Sequence, residues 1–184
     1  MNASKSYESI TLGGGCFWCV EAVFLMIDGV ISAVSGYAGD TKETADYKSV
    51  CSGTTKHAEV VQVTFDPNII SLEEILEIFW TAHNPTTLNR QGNDVGPQYR
   101  SVIFYHNEAQ KVVAEKSINE AATQIWDDPI VTELSPLEEF FIGEEYHQDY
   151  YNTVGNRNPY CTFVISPKVN KVRKKYADKL KVAK

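Results

Sequence analysis

Hydrophobic residues recur along this chain at two periods, and the switches between them outline its elements. Near the start, "SYESITLGG" reads as a short strand, followed by "WCVEAVFLMI", a helix that Gly29 stops. "VISAVSGYAG" predicts a second strand ending in turn residues, and "AEVVQVTFDP" alternates until Pro67 breaks it. Ser71 and Glu74 form a capping-box signature ahead of "LEEILEIFWTAH", an amphipathic helix. "RSVIFYH" predicts a strand, "NEAQKVVAEKSINEAATQI" a long helix capped by Asn107, and "IVTELS" another strand. "LEEFFIGEEYHQDYYNT" predicts a further helix, interrupted by Gly143. Val169, Val172, Tyr176 and Leu180 recur at helical spacing and predict a terminal helix.

Strands alternating with helices, without a repeat or linker, predict one α/β or α+β domain over residues 1–184. Its tail, from about residue 167, is helical and basic. The segment from His83 to Ser101 is rich in Asn, Gly, Pro and Thr and long for a simple connection. Such loops in compact domains are usually functional or disordered; this one runs straight into a strand, which favours function.

At 184 residues and 43% apolar, the chain is long enough to bury a real core. No apolar run reaches a membrane span, and "MNASKSYESITLGGG" lacks the apolar core of a secretory signal, so a soluble, cytoplasmic protein is expected. The net charge of −7 is unevenly placed: Lys168, Lys171, Arg173, Lys174, Lys175, Lys179, Lys181 and Lys184 are opposed only by Asp178. The helical spacing within that tail and the acidic body argue against a nucleic-acid arm.

Candidate chemistry centres on "GGGCFWCVEAVF", which spaces Cys16 and Cys19 as Cys-x-x-Cys. A structural zinc site wants four ligands, and no second cysteine pair or spaced Cys/His pair follows. A glutaredoxin-like disulfide exchanger also carries Cys-x-x-Cys at the mouth of its first helix. This chain lacks the Thr-Val-Pro turn of such folds and is nearly twice as long. The third reading makes Cys16 a nucleophile, set between a glycine turn and a helix start, where free N–H groups and the helix dipole favour thiolate. Cys51 and Cys161 complete the cysteines, too few and scattered for a disulfide framework.

"GGGCFWCVEAVF" resembles the GCFW signature of peptide-methionine (S)-S-oxide reductases, the type A methionine sulfoxide reductases. The likeness continues in order through "VSGYAG", "YKSVCSGTTKHAEVVQVTFDP", "FWTAHNPTTLNRQGNDVGPQYRSVIF" and "EEYHQDYY". It implies a two-layer, ferredoxin-like α/β roll with a mixed sheet. The implied activity is reduction of the S epimer of methionine sulfoxide, free or in oxidised proteins, as a repair reaction. It further implies that Cys16 attacks, that Phe17 and Trp18 line the methyl pocket, and that Glu59 of "HAE" is the acid. Tyr47 and Tyr99 would bind the sulfoxide oxygen, Asp94 would help orient the site, and His147 lies in a further family motif at the substrate site. Many members have Gly where this chain has Cys19, although a CFWC variant occurs.

A thiolate can attack a sulfoxide sulfur only if the oxygen is protonated or strongly hydrogen-bonded, which calls for an acid and donors besides the nucleophile. Glu59 is therefore expected to stay protonated, raised by the apolar Phe17 and Trp18 and by a Cys16 thiolate. Cys16 would end as sulfenic acid and condense with a second thiol. Cys161 is expected in that role, because "NPY" suits a mobile C-terminal segment and the position matches the family's, with Cys19 and Cys51 as alternatives. No metal or organic cofactor is implied. An external dithiol, thioredoxin in the cell, would reduce the disulfide, and the protein is expected to be a monomer.

Overall fold

Alternation along the strands decides which side of the sheet each residue meets. In the computed structural model, which describes residues 5–182, β1 (Glu8–Gly13) leads into α1 (Phe17–Leu25), β2 (Val30–Ala38) and α2 (Tyr47–Cys51). Next come β3 (Ala58–Phe65), α3 (Leu72–Ala82), the two-residue strands β4 (Arg90–Gln91) and β5 (Asp94–Val95), and β6 (Val102–Tyr105). The chain continues through α4 (Glu108–Lys116), α5 (Thr123–Ile125), β7 (Glu133–Pro136), β8 (Phe140–Ile142), α6 (Tyr150–Val154) and α7 (Ser166–Lys175).

The main sheet has the order β7-β6-β1-β3-β2-β8, with β6 and β7 parallel and the other neighbours antiparallel. Within it, β6-β1-β3-β2, with α1 after β1 and α3 after β3, is the split βαββαβ of ferredoxin-like folds. The expected mixed-sheet α/β roll is thus the observed architecture. Ile10, Leu12, Val61, Val63 and Ile103 bury one sheet face under α1, α3 and α7. On the other face Val60, Val102 and Phe104 form a smaller cluster with Leu137 and Phe140.

Most elements lie where periodicity puts them. Ser71 Oγ accepts from the Glu74 N–H at 3.2 Å, but the Glu74 carboxylate pairs with Lys179 at 2.6 Å, so only half of the capping box forms. The long helix after Asn107 is broken between α4 and α5 by a π-type stretch, Ser117–Ala122. Its first residue takes the Trp80 indole N–H at 2.8 Å. Strand β7 starts later than "IVTELS" suggests, because the Val131 N–H is diverted to Pro85 O at 2.8 Å.

The helix expected over "LEEFFIGEEYHQDYYNT" does not form. Phe140–Ile142 instead pair with the edge of β2, where Gly36 lets Phe141 O and the Phe140 ring approach its Cα. Gly143 continues onto β2 through its N–H to Ser35 O at 2.9 Å, then a 3-10 turn spans Glu145–His147. Only Tyr150–Val154 is helical. The terminal helix forms, with Val169, Val172 and Tyr176 buried and Leu180 bridged to Ile27. Among the described residues no helix is long and apolar enough to cross a membrane. Residues 1–4 of the stretch read for a leader, and 183–184 of the basic tail, lie outside the described residues.

Candidate active site

Three glycines carry the chain from β1 to α1 through a space with no room for side chains. A Cβ on Gly14 would come within 2.9 Å of the His83 ring, and Gly15 has a φ of +89° with the Gln91 side chain against it. His83 is fixed by Phe79 O at 2.6 Å and Ser101 Oγ at 2.7 Å, and burial pushes it down to about 3, so it is neutral. Gln91 spans Asn84, accepting from its N–H at 2.8 Å and donating to its carbonyl at 2.9 Å. The long polar loop thus clamps the turn that presents Cys16.

Cys16 is the N-cap residue of α1, yet its side chain caps no helix N–H. That role falls to Glu59 on β3, whose Oε1 accepts from the Phe17 N–H at 3.1 Å. Glu59 lies on the helix-facing side of β3 and is only 2% exposed. Burial drives its carboxyl up to about 8; the Phe17 bond opposes this, and the charges of Asp94 and Cys19 add to it. One backbone donor does not offset the lost hydration, and the acid is neutral at pH 7.

Tyr47 and Tyr99 approach Glu59 from the other side. Both are pushed up, first by burial and then by Cys51 and Glu59, so they remain donors at physiological pH. Both neighbour Cys51, whose thiol burial raises. Phe17 is fully buried, with ring centroids 5.7 Å from Tyr37 and 4.9 Å from His147. Trp18 donates its indole N–H to His147 Nδ1 at 3.0 Å and stacks on Tyr150 at 3.8 Å. Asp94 accepts a hydrogen bond from the Tyr160 hydroxyl at 2.6 Å.

Several of these partners were not legible in the sequence. Glu144 is the hub of one wall, accepting from the Tyr37 hydroxyl at 3.1 Å, the Tyr47 N–H at 3.3 Å and the Tyr146 hydroxyl at 3.2 Å. His147 Nε2 lies 3.3 Å from it; burial lowers the imidazole while Glu144 pulls it back up. Tyr37 faces Glu59 directly across the β2–β3 pair. Glu144 and Tyr37 sit inside stretches whose pattern drew attention, "EEYHQDYY" and "VSGYAG", but nothing local distinguishes them from neighbours.

The acidity expected of Cys16 is not what its surroundings produce. Burial, the adjacent Cys19 thiol and the charges of Cys19 and Glu59 all push Cys16 up, against one weaker opposing effect from the Trp18 backbone. Cys19 moves down instead, held by the bond from Cys16, by Lys168 and by Tyr160 against burial. A helix start lowers a thiol only if nothing nearby is negative and water is close. Cys161 is likewise not on an open arm: it is 1% exposed, at the start of the helical run Cys161–Ile165 that packs on α1. Its thiol is pushed up by burial and then by neighbouring Cys19. Among the described residues, no group of three or more His, Cys, Asp and Glu is arranged to hold a metal ion.

Buried acids make stability depend on pH. Glu59 at about 8, and Glu21 on α1 at about 7, keep protons in the folded state that the unfolded chain loses near 4.5. Unfolding between those values releases protons, so the contribution of these two acids to stability is greatest below about 4.5 and falls until pH passes about 8. We expect the thermal midpoint to decline from pH 5 to 8, and Glu59→Gln to remove all of that decline above about pH 7 and about half of it below, a contribution on the order of a few kcal/mol. A Glu59→Gln midpoint that falls as steeply as wild type above pH 7 would place that titration elsewhere.

A model of the peptide methionine sulfoxide reductase family matches residues 8–180. The peptide methionine sulfoxide reductase MsrA of Leptospira borgpetersenii is 58% identical over 167 residues, covering 91% of this chain and 94% of the relative. MsrA of Saccharolobus solfataricus is 56% identical over 175 residues, 95% of this chain and 98% of its own. Reduced Mxr1 from Saccharomyces cerevisiae superposes with a TM-score of 0.75 at 36% identity, over 86% of this chain and 90% of that one. Mxr1 in complex with Trx2 gives 0.55 at 26% identity, over 82% and 88%. The glycine turn, the buried acid and the aromatic wall around Cys16 thus belong to an oxidoreductase, and the chain is a member of the peptide methionine sulfoxide reductase family, type A.

Proposed function

We propose that this protein reduces the S epimer of methionine sulfoxide, free or in oxidised proteins, with Cys16 as nucleophile and Glu59 as acid. The observation that carries the reading is the neutral Glu59 carboxyl, buried beside Cys16 and fixed by the Phe17 N–H. The sulfoxide methyl packs between Phe17 and Trp18, while its oxygen takes the place of Cys51 before the Tyr47 and Tyr99 hydroxyls and accepts from them and from Glu59. Asp94 and His147 orient the pocket, through Tyr160 and Trp18 respectively.

With Glu59 protonated, one of the charges that raise Cys16 is absent, and Cys16 attacks as the thiolate once its proton has left. Cys16 sulfur bonds to the sulfoxide sulfur as Glu59 protonates the oxygen. Transfer of that oxygen to Cys16 releases the thioether and leaves a sulfenic acid: the sulfoxide gains two electrons and the thiol loses two. Cys161 then displaces water from the sulfenic acid to form a disulfide, and a dithiol reductant reopens it. Cys19 neighbours both thiols and is the first alternative for this step; Cys51, on the tyrosine side, is the second. The Trx2 complex of Mxr1 supports thioredoxin as that reductant. A reducing cytoplasmic setting, with this chain acting as a monomer, is part of the same proposal.

The reading is tested by turnover of the two separated sulfoxide epimers with dithiothreitol. A pocket that fixes methyl and oxygen leaves one face of a chiral sulfur toward Cys16, so we expect turnover of the S epimer alone. Comparable rates on both would remove the assignment. For the recycling thiol, Cys161→Ser is expected to release about one methionine per enzyme, as sulfenic acid chemistry without a resolver requires. It should then stop under thioredoxin; unchanged steady-state turnover would move the role to Cys19 or Cys51.

A further inference from the structure

Two glutamates are buried against the sheet beside α1, and the reaction above uses only Glu59. Glu21 projects from the second turn of α1 and is 1% exposed. Its carboxyl accepts from Ser35 Oγ on β2 at 2.9 Å and from the Tyr150 backbone N–H at 3.2 Å. Ser35 is gripped again by Gln148, whose amide accepts from the Ser35 N–H at 3.0 Å and donates to its carbonyl at 2.9 Å. Between Gln148 and Tyr150, Asp149 holds a left-handed φ of 50°. Asp is among the L residues that enter that region most readily, and here the contacts of Gln148 and Tyr150 flank it on either side.

The same short strap carries two groups that touch Trp18. Tyr150 lies flat on the indole, planes within 5°, and His147 takes its N–H at the edge. Fixing the strap therefore fixes the indole on one face and one edge.

We infer that Glu21 is a positioning residue for the substrate pocket, anchoring the Glu144–Tyr150 strap to α1 and β2 and, through Tyr150, setting the plane of the Trp18 wall. The inference rests on Trp18 lining the methyl pocket. Glutamine at position 21 can accept from the Tyr150 N–H and donate to Ser35 Oγ, so shape and hydrogen bonding matter and charge does not. Alanine leaves both donors without a partner and frees the Tyr150 end of the strap, which Gln148 still ties to β2.

The test compares methionine sulfoxide with its ethyl analogue, ethionine sulfoxide, on wild type, Glu21→Ala, Glu21→Gln, Tyr150→Leu and Trp18→Phe. Glu21→Ala should raise KM for the methyl substrate about tenfold and narrow the preference for methyl over ethyl, with kcat within about threefold, since misplacing one wall weakens docking more than chemistry. Glu21→Gln should restore both, and Tyr150→Leu should reproduce the alanine variant. Without substrate, the emission assigned to Trp18, taken by difference from matching Trp18→Phe proteins, should shift in Glu21→Ala and not in Glu21→Gln. If Trp18→Phe alters the methyl–ethyl preference but a folded Glu21→Ala keeps KM, preference and emission, the inference is overturned while the pocket reading stands. If Trp18→Phe leaves the preference untouched, both fall. Should Glu21→Ala not fold, Tyr150→Leu decides, and wild-type KM and preference there overturn the inference.

Discussion

The hydrogen bond from the Phe17 N–H to Glu59 joins the middle of the sheet to the start of the helix that carries Cys16, and the remaining site geometry follows from that join. The first turn of any helix has N–H groups without partners, and a carboxylate there is ordinarily favoured. Glu59 meets this need from a neighbouring strand while being nearly cut off from water. A carboxylate held by two or three backbone donors can be strongly acidic. With one donor and no hydration, this one lies at about 8 instead. The contact therefore locates the acid beside the thiol, and burial, which outweighs that one bond, leaves it loaded with a proton.

Around that contact, sheet order supplies the walls. Because β3 lies between β1 and β2, Glu59 shares a face with Ile10 and Leu12 on one side and with Ser35 and Tyr37 on the other. The strand β8 then brings Glu144 and His147 over the edge of β2, where Glu144 gathers Tyr37, Tyr47 and Tyr146. The polar loop from Asn84 to Gln91 closes the opposite side against Gly15. Each wall rests on backbone or side-chain bonds already satisfied without substrate, which is what preorganisation requires.

How much of this could be read from the chain depended on whether the cause was local. Strand β3 and helix α3 were legible because Val61 to Phe65 alternate buried and half-buried positions and α3 keeps Glu73, Glu74 and Glu77 off its buried side, so their periods are written into side chains. The stretch from Leu137 to Val154 was not. Its glutamates and aromatics mimic a helical pattern, while its path is set by the β2 edge, by Gly36 and by Gln148 gripping Ser35, all distant in sequence. The acidity of Cys16 failed for the same reason: a helix start is local, but Cys19, Glu59 and burial outweigh it. Tyr47, Tyr99 and Asp94 were nameable only through family resemblance, since no spacing marks two tyrosines among ten.

The account stands on Glu59 being a proton donor as well as a cap, and the rate of one chemical turnover reads that role directly. Glutamine there keeps an acceptor for the Phe17 N–H but has no proton to give. Single-turnover methionine release by Glu59→Gln, followed from pH 5 to 9 on the S epimer, should be slower by about 10²–10⁴, the usual contribution of one general acid. It should also lack the limb on which wild-type activity falls as Glu59, at about 8, loses its proton. Release at near wild-type rates across that range would contradict the account and move the acid to Tyr47 or Tyr99.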